Sequence, residues 1–142
     1  MEGEKKKILI VDDDSFLLDM YALKFSQNNF EVYTASLASL AIEKLKKGLA
    51  PDVMLMDIIM PEMNGFEMLE QINKENLSPK SLKIFLSNKS EQKDIEEGHR
   101  LGAVGYIVKA NSTPTEVIDQ VMKILKEKVV TDSVKNNETP VS

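Results

Sequence analysis

Short runs of consecutive apolar residues alternate along the chain with longer stretches whose apolar residues recur every three or four positions. The runs are "KILIVD", "FEVYTA", "DVMLMD", "LKIFLS" and "AVGYIVKA". Their length, flanking turn residues and content of Val, Ile, Phe and Tyr predict five strands. Glu31 within "FEVYTA" suggests an edge position. Between them, "SFLLDMYALKFSQNN" places Phe16, Met20, Leu23 and Tyr21 at helical spacing. "LASLAIEKLKKG" is helical and stops at Gly48, the expected C-terminal cap. Asn64 followed by Glu67 resembles a capping box that opens "GFEMLEQINKE". "EQKDIEEGHRLG" is a weaker helix, loosened by Gly98 and closed by Gly102. Thr113-Pro114-Thr115-Glu116 combines an N-cap, a Pro at the first helical position and an acid three residues after the cap. The last helix then carries Val117, Ile118, Val121, Ile124 and Leu125 on one face.

Five β-α units follow. Strands apolar on both faces imply a parallel sheet covered by helices on both sides, and right-handed crossovers make it doubly wound. The chain is therefore read as α/β, with one domain over residues 6–128. Residues 129–142, "VVTDSVKNNETPVS", read as a polar tail expected to be disordered.

Composition narrows the function. The chain has 142 residues and no Cys, which excludes a disulfide framework and thiolate chemistry. Its formal charge is −5, without a long basic run or a basic-aromatic mixture. That argues against direct nucleic-acid binding. Lys5 to Lys7 is a small basic cluster that solvates the entry to a strand. No apolar run approaches the ~20 residues of a membrane span, and the N-terminus lacks a signal peptide's apolar core. A cytoplasmic protein is the default expectation.

The strand ends carry the chemistry. The first ends in Asp12-Asp13-Asp14, the third in Asp57, the fourth in Ser87 and the fifth in Lys109. In a parallel sheet these ends share one edge, where open α/β sheets bind ligands. Clustered carboxylates repel one another and stay ionised most easily around a divalent cation. Oxygen donors without His or Cys point to a hard ion such as Mg²⁺. An ion, an ammonium and a hydroxyl suit a phosphoryl group, and a central carboxylate can be the nucleophile. Each residue has a blander reading: Asp12 to Asp14 as helix caps, Asp57 and Ser87 as turn residues, Lys109 as a solvated cation. Only the joint arrangement makes those readings weak. His99 reads as a surface helix residue. Met54, Met56, Met60, Met63 and Met68 read as adaptable core filling.

The segments "ILIVDDD", "LMDIIMPEMNGFE", "IFLSNK" and "GYIVKA" make the chain similar to the receiver domain of two-component response regulators. The resemblance runs from about residue 6 to residue 128. It implies a flavodoxin-like (βα)5 fold of strand order 2-1-3-4-5. It also implies a single-domain signalling phosphoacceptor whose only catalysis is its own phosphotransfer and slow autodephosphorylation. Asp57 would accept a phosphoryl group from a histidine kinase or phosphotransfer protein. Asp13 would bind Mg²⁺ directly, Asp12 often through water, and Asp57 and the Ile59 backbone carbonyl would complete the set. Lys109 would pair with phosphoryl oxygens, Ser87 would donate to them, and Tyr106 would be the aromatic switch residue. An unidentified downstream protein would read the switched surface, and the resemblance allows a homodimer on phosphorylation.

Two positions depart from the family pattern. Ala110 stands where the family usually has Pro after a cis peptide bond, and Asn88 where a small residue leaves room for the donor. The expectation is that the pocket still shapes the Ala110 loop because Lys109 is retained. Asp12-x-Asp14 is also similar to haloacid-dehalogenase-like phosphohydrolases. Those need a late acidic pair, whereas strand five here ends in Lys109 and Asp119 lies mid-helix. A receiver that binds partners without phosphorylation ranks below the phosphoacceptor, because every site position is filled.

Overall fold

The computed structural model describes residues 4–137. In chain order the elements are β1 (Lys6–Val11), α1 (Ser15–Gln27), β2 (Phe30–Ala35), α2 (Ala38–Lys46), β3 (Val53–Met56), α3 (Gly65–Lys74), β4 (Leu82–Ser87), α4 (Gln92–Arg100), β5 (Gly105–Val108) and α5 (Pro114–Asn137), with a 3-10 turn at Lys109–Asn111. The five strands form one parallel sheet of order β2-β1-β3-β4-β5. As expected from Glu31, β2 is an edge strand.

Alternation along the central strands feeds two separate cores. Leu9, Val11, Met54, Met56 and Phe85 face α2 and α3, where Ala41, Ile42, Leu45, Met68, Leu69 and Ile72 meet them. Ile8, Ile10, Leu55, Ile84 and Leu86 face the other way, onto Leu18, Tyr21 and Phe25 of α1 and Val117, Ile118 and Val121 of α5. Each fully buried aliphatic side chain contributes about 1.5–3 kcal/mol relative to an exposed one. The central strands are thereby pinned, and with them the edge at which they end.

The caps follow the sequence. Asn64 and Glu67 form a reciprocal capping box on α3, with bonds of 2.8 and 2.9 Å. Thr113 and Glu116 exchange the equivalent pair at the start of α5. Gly48, at φ +110°, closes α2: its N–H donates to the Leu45 carbonyl and that of Leu49 to the Lys44 carbonyl. These two bonds make a Schellman cap.

Three expectations are corrected. The buried face of α1 is Leu18, Tyr21 and Phe25; Phe16 and Leu23 are exposed at 75% and 59%, and Met20 is half-buried. Gly98 does not loosen α4. It is buried, and a Cβ there would stand 3.2 Å from the Phe85 ring and 3.4 Å from that of Tyr106. Its missing side chain therefore lets the helix sit close to both rings. Finally, α5 continues through Asn137 rather than giving way to a disordered tail at residue 129. No Gly or Pro stands between Pro114 and Pro140 to stop it. The rest of the expected tail, residues 138–142, lies outside the described residues.

Candidate phosphoacceptor site

The backbone ladder delivers the acids. Asp12 N–H donates to the Ala35 carbonyl (3.1 Å) and Asp57 N–H to that of Val11 (2.9 Å), so each acid is the first residue past its strand. Asp14 caps α1, its side chain accepting from Leu17 N–H at 3.1 Å. Asp12 and Asp57 are buried and Asp13 is exposed. Their carboxylates offer one oxygen each within 4.8 Å of one another.

Lys109 joins them. Its Nζ donates to Asp12 Oδ2 at 2.7 Å and to Asp57 Oδ2 at 2.9 Å. The other oxygens take backbone amides: Asp14 N–H to Asp12 Oδ1 at 2.9 Å, Ile58 N–H to Asp57 Oδ1 at 2.7 Å. Burial pushes the Asp12 carboxyl above its ordinary range, and the Asp57 charge pushes the same way. The Lys109 and Asp14 hydrogen bonds offset this only in part. Burial also works against the Lys109 ammonium, but two carboxylates outweigh it and hold its pKa above the usual lysine value. The two directions are compatible, because one ammonium serves two acids. Lys109 gains two partners while Asp12 gains half of one and a like charge.

The donor set fits a hard divalent ion. Three carboxylates converge at the mouth of the pocket with no His or Cys ligand in the cluster. Ile59 stands two residues beyond Asp57, its side chain 62% exposed. No peptide bond among the described residues is cis, Ala110 lies in the 3-10 turn, and Lys109 reaches the acids from there.

Ser87 and Tyr106 occupy the neighbouring corner. Ser87 is fully buried at the end of β4, and its Oγ accepts from Lys89 N–H at 3.3 Å. The Tyr106 hydroxyl donates to the Lys89 carbonyl at 2.5 Å, with its ring tilted against Phe85. Burial first, then the Asp94 and Asp57 charges, push the Tyr106 phenol up to about 12. Among the described residues, no hydrogen bond links Ser87 or Tyr106 directly to the acid cluster.

Three further residues shape the site; Lys89 and Asp94 were not singled out from sequence, while Gly65 was read with Asn64 as shaping the loop that starts α3. Lys89 holds both the Ser87 and Tyr106 hydroxyls through its backbone, and its ammonium lies 3.5 Å from the buried Asp94 carboxylate. Asp94 also accepts from the Glu91 N–H at 3.2 Å at the start of α4. Gly65 is the third: a Cβ there would fall 2.1 Å from the Asp57 carbonyl oxygen, and its N–H donates to the Ile58 carbonyl at 2.8 Å. The start of α3 thus backs directly onto the acid.

The family profile for the response regulator receiver domain matches residues 8–123. The chain belongs to this family. It is 35% identical over 122 residues to the chemotaxis protein CheY of Thermotoga maritima, an alignment covering 85% of this chain and 98% of that protein. It is 31% identical to the alkaline phosphatase synthesis transcriptional regulatory protein PhoP of Bacillus subtilis, covering 94% of this chain but only 55% of the regulator. Among solved structures, a CheY-like receiver domain protein of Methanospirillum hungatei superposes with a TM-score of 0.80 at 28% identity, covering 90% of this chain and 99% of that one. Receivers of two-component systems are signalling phosphoacceptors, which implies a kinase or phosphotransfer partner. The Asp12, Asp13 and Asp57 cluster is compatible with Mg²⁺. Among the described residues, no helix is long and apolar enough to cross a membrane.

Proposed function

We propose that Asp57 is the phosphoacceptor of a cytoplasmic response regulator, taking its phosphoryl group from the phosphohistidine of a kinase or phosphotransfer protein. One observation carries this reading: Lys109 bridges Asp57 and Asp12 inside a three-carboxylate cluster at the sheet edge. Asp12, Asp13, Asp57 and the Ile59 carbonyl would hold Mg²⁺, which supplies neutralisation of the phosphoryl oxygens when bound. Lys109 is placed to exchange a carboxylate partner for a phosphoryl oxygen as charge builds there. Ser87 donates to the phosphoryl group with the hydroxyl hydrogen that its contact with the Lys89 amide leaves free. Slow attack by water later returns Asp57 to a carboxylate.

The added group brings up to two negative charges and three acceptors. It biases the β4–α4 loop, and through Lys89 the Tyr106 ring, toward a second arrangement that a downstream protein reads. Incubation with Mg²⁺ and acetyl phosphate followed by intact mass tests the assignment. The expected result is one phosphoryl group added to the native protein and none to Asp57→Asn. Equal labelling of both proteins would move the acceptor elsewhere.

A further inference from the structure

At the entry of β4, opposite the acid edge of the sheet, the structure buries a second lysine. Lys83 is 8% exposed. It stands in register with Met54 of β3 and on the same side of the sheet as Phe85, two residues further on. Among the described residues its Nζ makes one hydrogen bond, to the Ser78 carbonyl at 3.3 Å, and no carboxylate lies within 4.0 Å of it. Burial therefore acts alone and pushes the amine below the usual lysine value. Lys109 makes the contrast: it too is largely buried, but two carboxylates hold it charged.

The loop beside Lys83 is held in place around this contact. Ser78 is half-buried and sits at φ +41°, in the left-handed region, directly before Pro79. The Ser78 and Ser81 hydroxyls share a hydrogen bond, and Ser81 donates to the Pro51 carbonyl. The amine thus ends beside a fixed rim of the sheet, with no use in phosphoryl transfer at the opposite edge.

We propose that Lys83 is a covalent modification site, an amine that takes short acyl groups from activated thioesters. A desolvated amine without a counter-charge is held toward its neutral, nucleophilic form. Its lone pair attacks the thioester carbonyl carbon, the C–N bond forms and the C–S bond breaks. The electron pair of the broken bond leaves with sulfur as a thiolate, and the proton shed by nitrogen converts that thiolate to a thiol. The product is a neutral amide. Its N–H keeps the Ser78 carbonyl as partner, and the charge that burial opposes is gone. A surface lysine gains nothing comparable: Lys47, with its side chain 76% exposed, gives up a hydrated ammonium.

Phenyl thioacetate, a small neutral thioester, tests this. The folded protein is treated at a series of pH values, and peptide mapping by mass gives an acetylation rate at each lysine. The deciding quantity is the pH at which each rate levels off, which does not depend on how easily the donor reaches the amine. Lys83 is expected to level off at lower pH than Lys47, and urea unfolding should abolish the difference. Coincident profiles in the folded protein, or a Lys83 still unlabelled when Lys47 is complete, would overturn the proposal. A second measurement tests the preference for a neutral group. Lys83→Gln, with an uncharged amide, should melt about 3 °C or more above Lys83→Arg, which keeps the charge, and the reverse order would sink the idea.

Discussion

At the corner where β3 ends, Asp57 is held on every side. Its N–H is bonded to Val11 at 2.9 Å, its two oxygens to Ile58 and Lys109 at 2.7 and 2.9 Å, and Gly65 packs against its carbonyl. At the corner where β4 ends, Ser87 touches the Lys89 amide at 3.3 Å, and the Lys89 ammonium stands 3.5 Å from Asp94. The first set lies in the range of charge-assisted hydrogen bonds, whereas the contacts of Ser87 and of the Lys89 ammonium lie beyond the usual distances and the short bond at this corner runs from the Tyr106 hydroxyl to the Lys89 carbonyl. The same sheet edge therefore presents a closely bonded acid beside a more sparsely bonded hydroxyl. On the proposed function, the acid would hold its place while the neighbouring loop responds.

If the β3 corner is rigid because backbone meets backbone, the largest loss comes from wedging them apart. Gly65→Ala puts a methyl into the Asp57 carbonyl and should destabilise by about 3 kcal/mol or more, with slowed labelling. Urea unfolding checks it, and a change below about 1 kcal/mol would mean that this corner yields after all. Lys109→Met comes next. In metal-free buffer it leaves two buried carboxylates without their cation, at a cost of about 2–3 kcal/mol, below the fully buried case because Asp13 keeps the mouth wet. Added Mg²⁺ should recover part of the loss, and a thermal melt with and without the ion reads both.

The smallest effect tests the loose corner. Tyr106→Phe removes only the bond to the Lys89 carbonyl and should cost about 1 kcal/mol. The native phenol gives a pH signature. Its folded pKa, pushed up to about 12, exceeds the unfolded value near 10. The folded state thus holds this proton more tightly, and the contribution to stability is complete below pH 10 and lost as pH rises toward 12. Chemical denaturation across that range should show a falling limb in the native protein that is weaker in Tyr106→Phe. Identical slopes would mean that the ring is not held inward.

The sheet and its chemical edge were legible in the sequence because each rests on short-range rules. Unbroken apolar runs can be buried only on both faces, and a polar residue ends each run at its boundary. Caps at Asn64 and Thr113 were legible for the same reason. The facing of α1 was not. "SFLLDMYALKF" is apolar on more than one side, so Tyr21 was placed correctly but Phe16, Met20 and Leu23 satisfy helical spacing as well as Leu18 and Phe25, and only the position of β1 and α5 decides between them. Gly98 was misread because a missing side chain looks the same whether it loosens a helix or admits two rings. Gly65 and Lys89 act through backbone atoms, which a side-chain inventory does not register. The convergence of Asn88 and Ala110 on one cavity needed the fold itself.

The double bond from Lys109 has one more consequence. A cluster of acids able to hold a divalent ion would ordinarily hinder its own assembly, since its carboxylates repel one another. Here the chain carries a provisional counter-charge of its own, delivered by the last strand. On the proposed function, the domain would complete its sheet without drawing on the divalent supply, and the arrival of an ion would be an event in signalling rather than a step in folding.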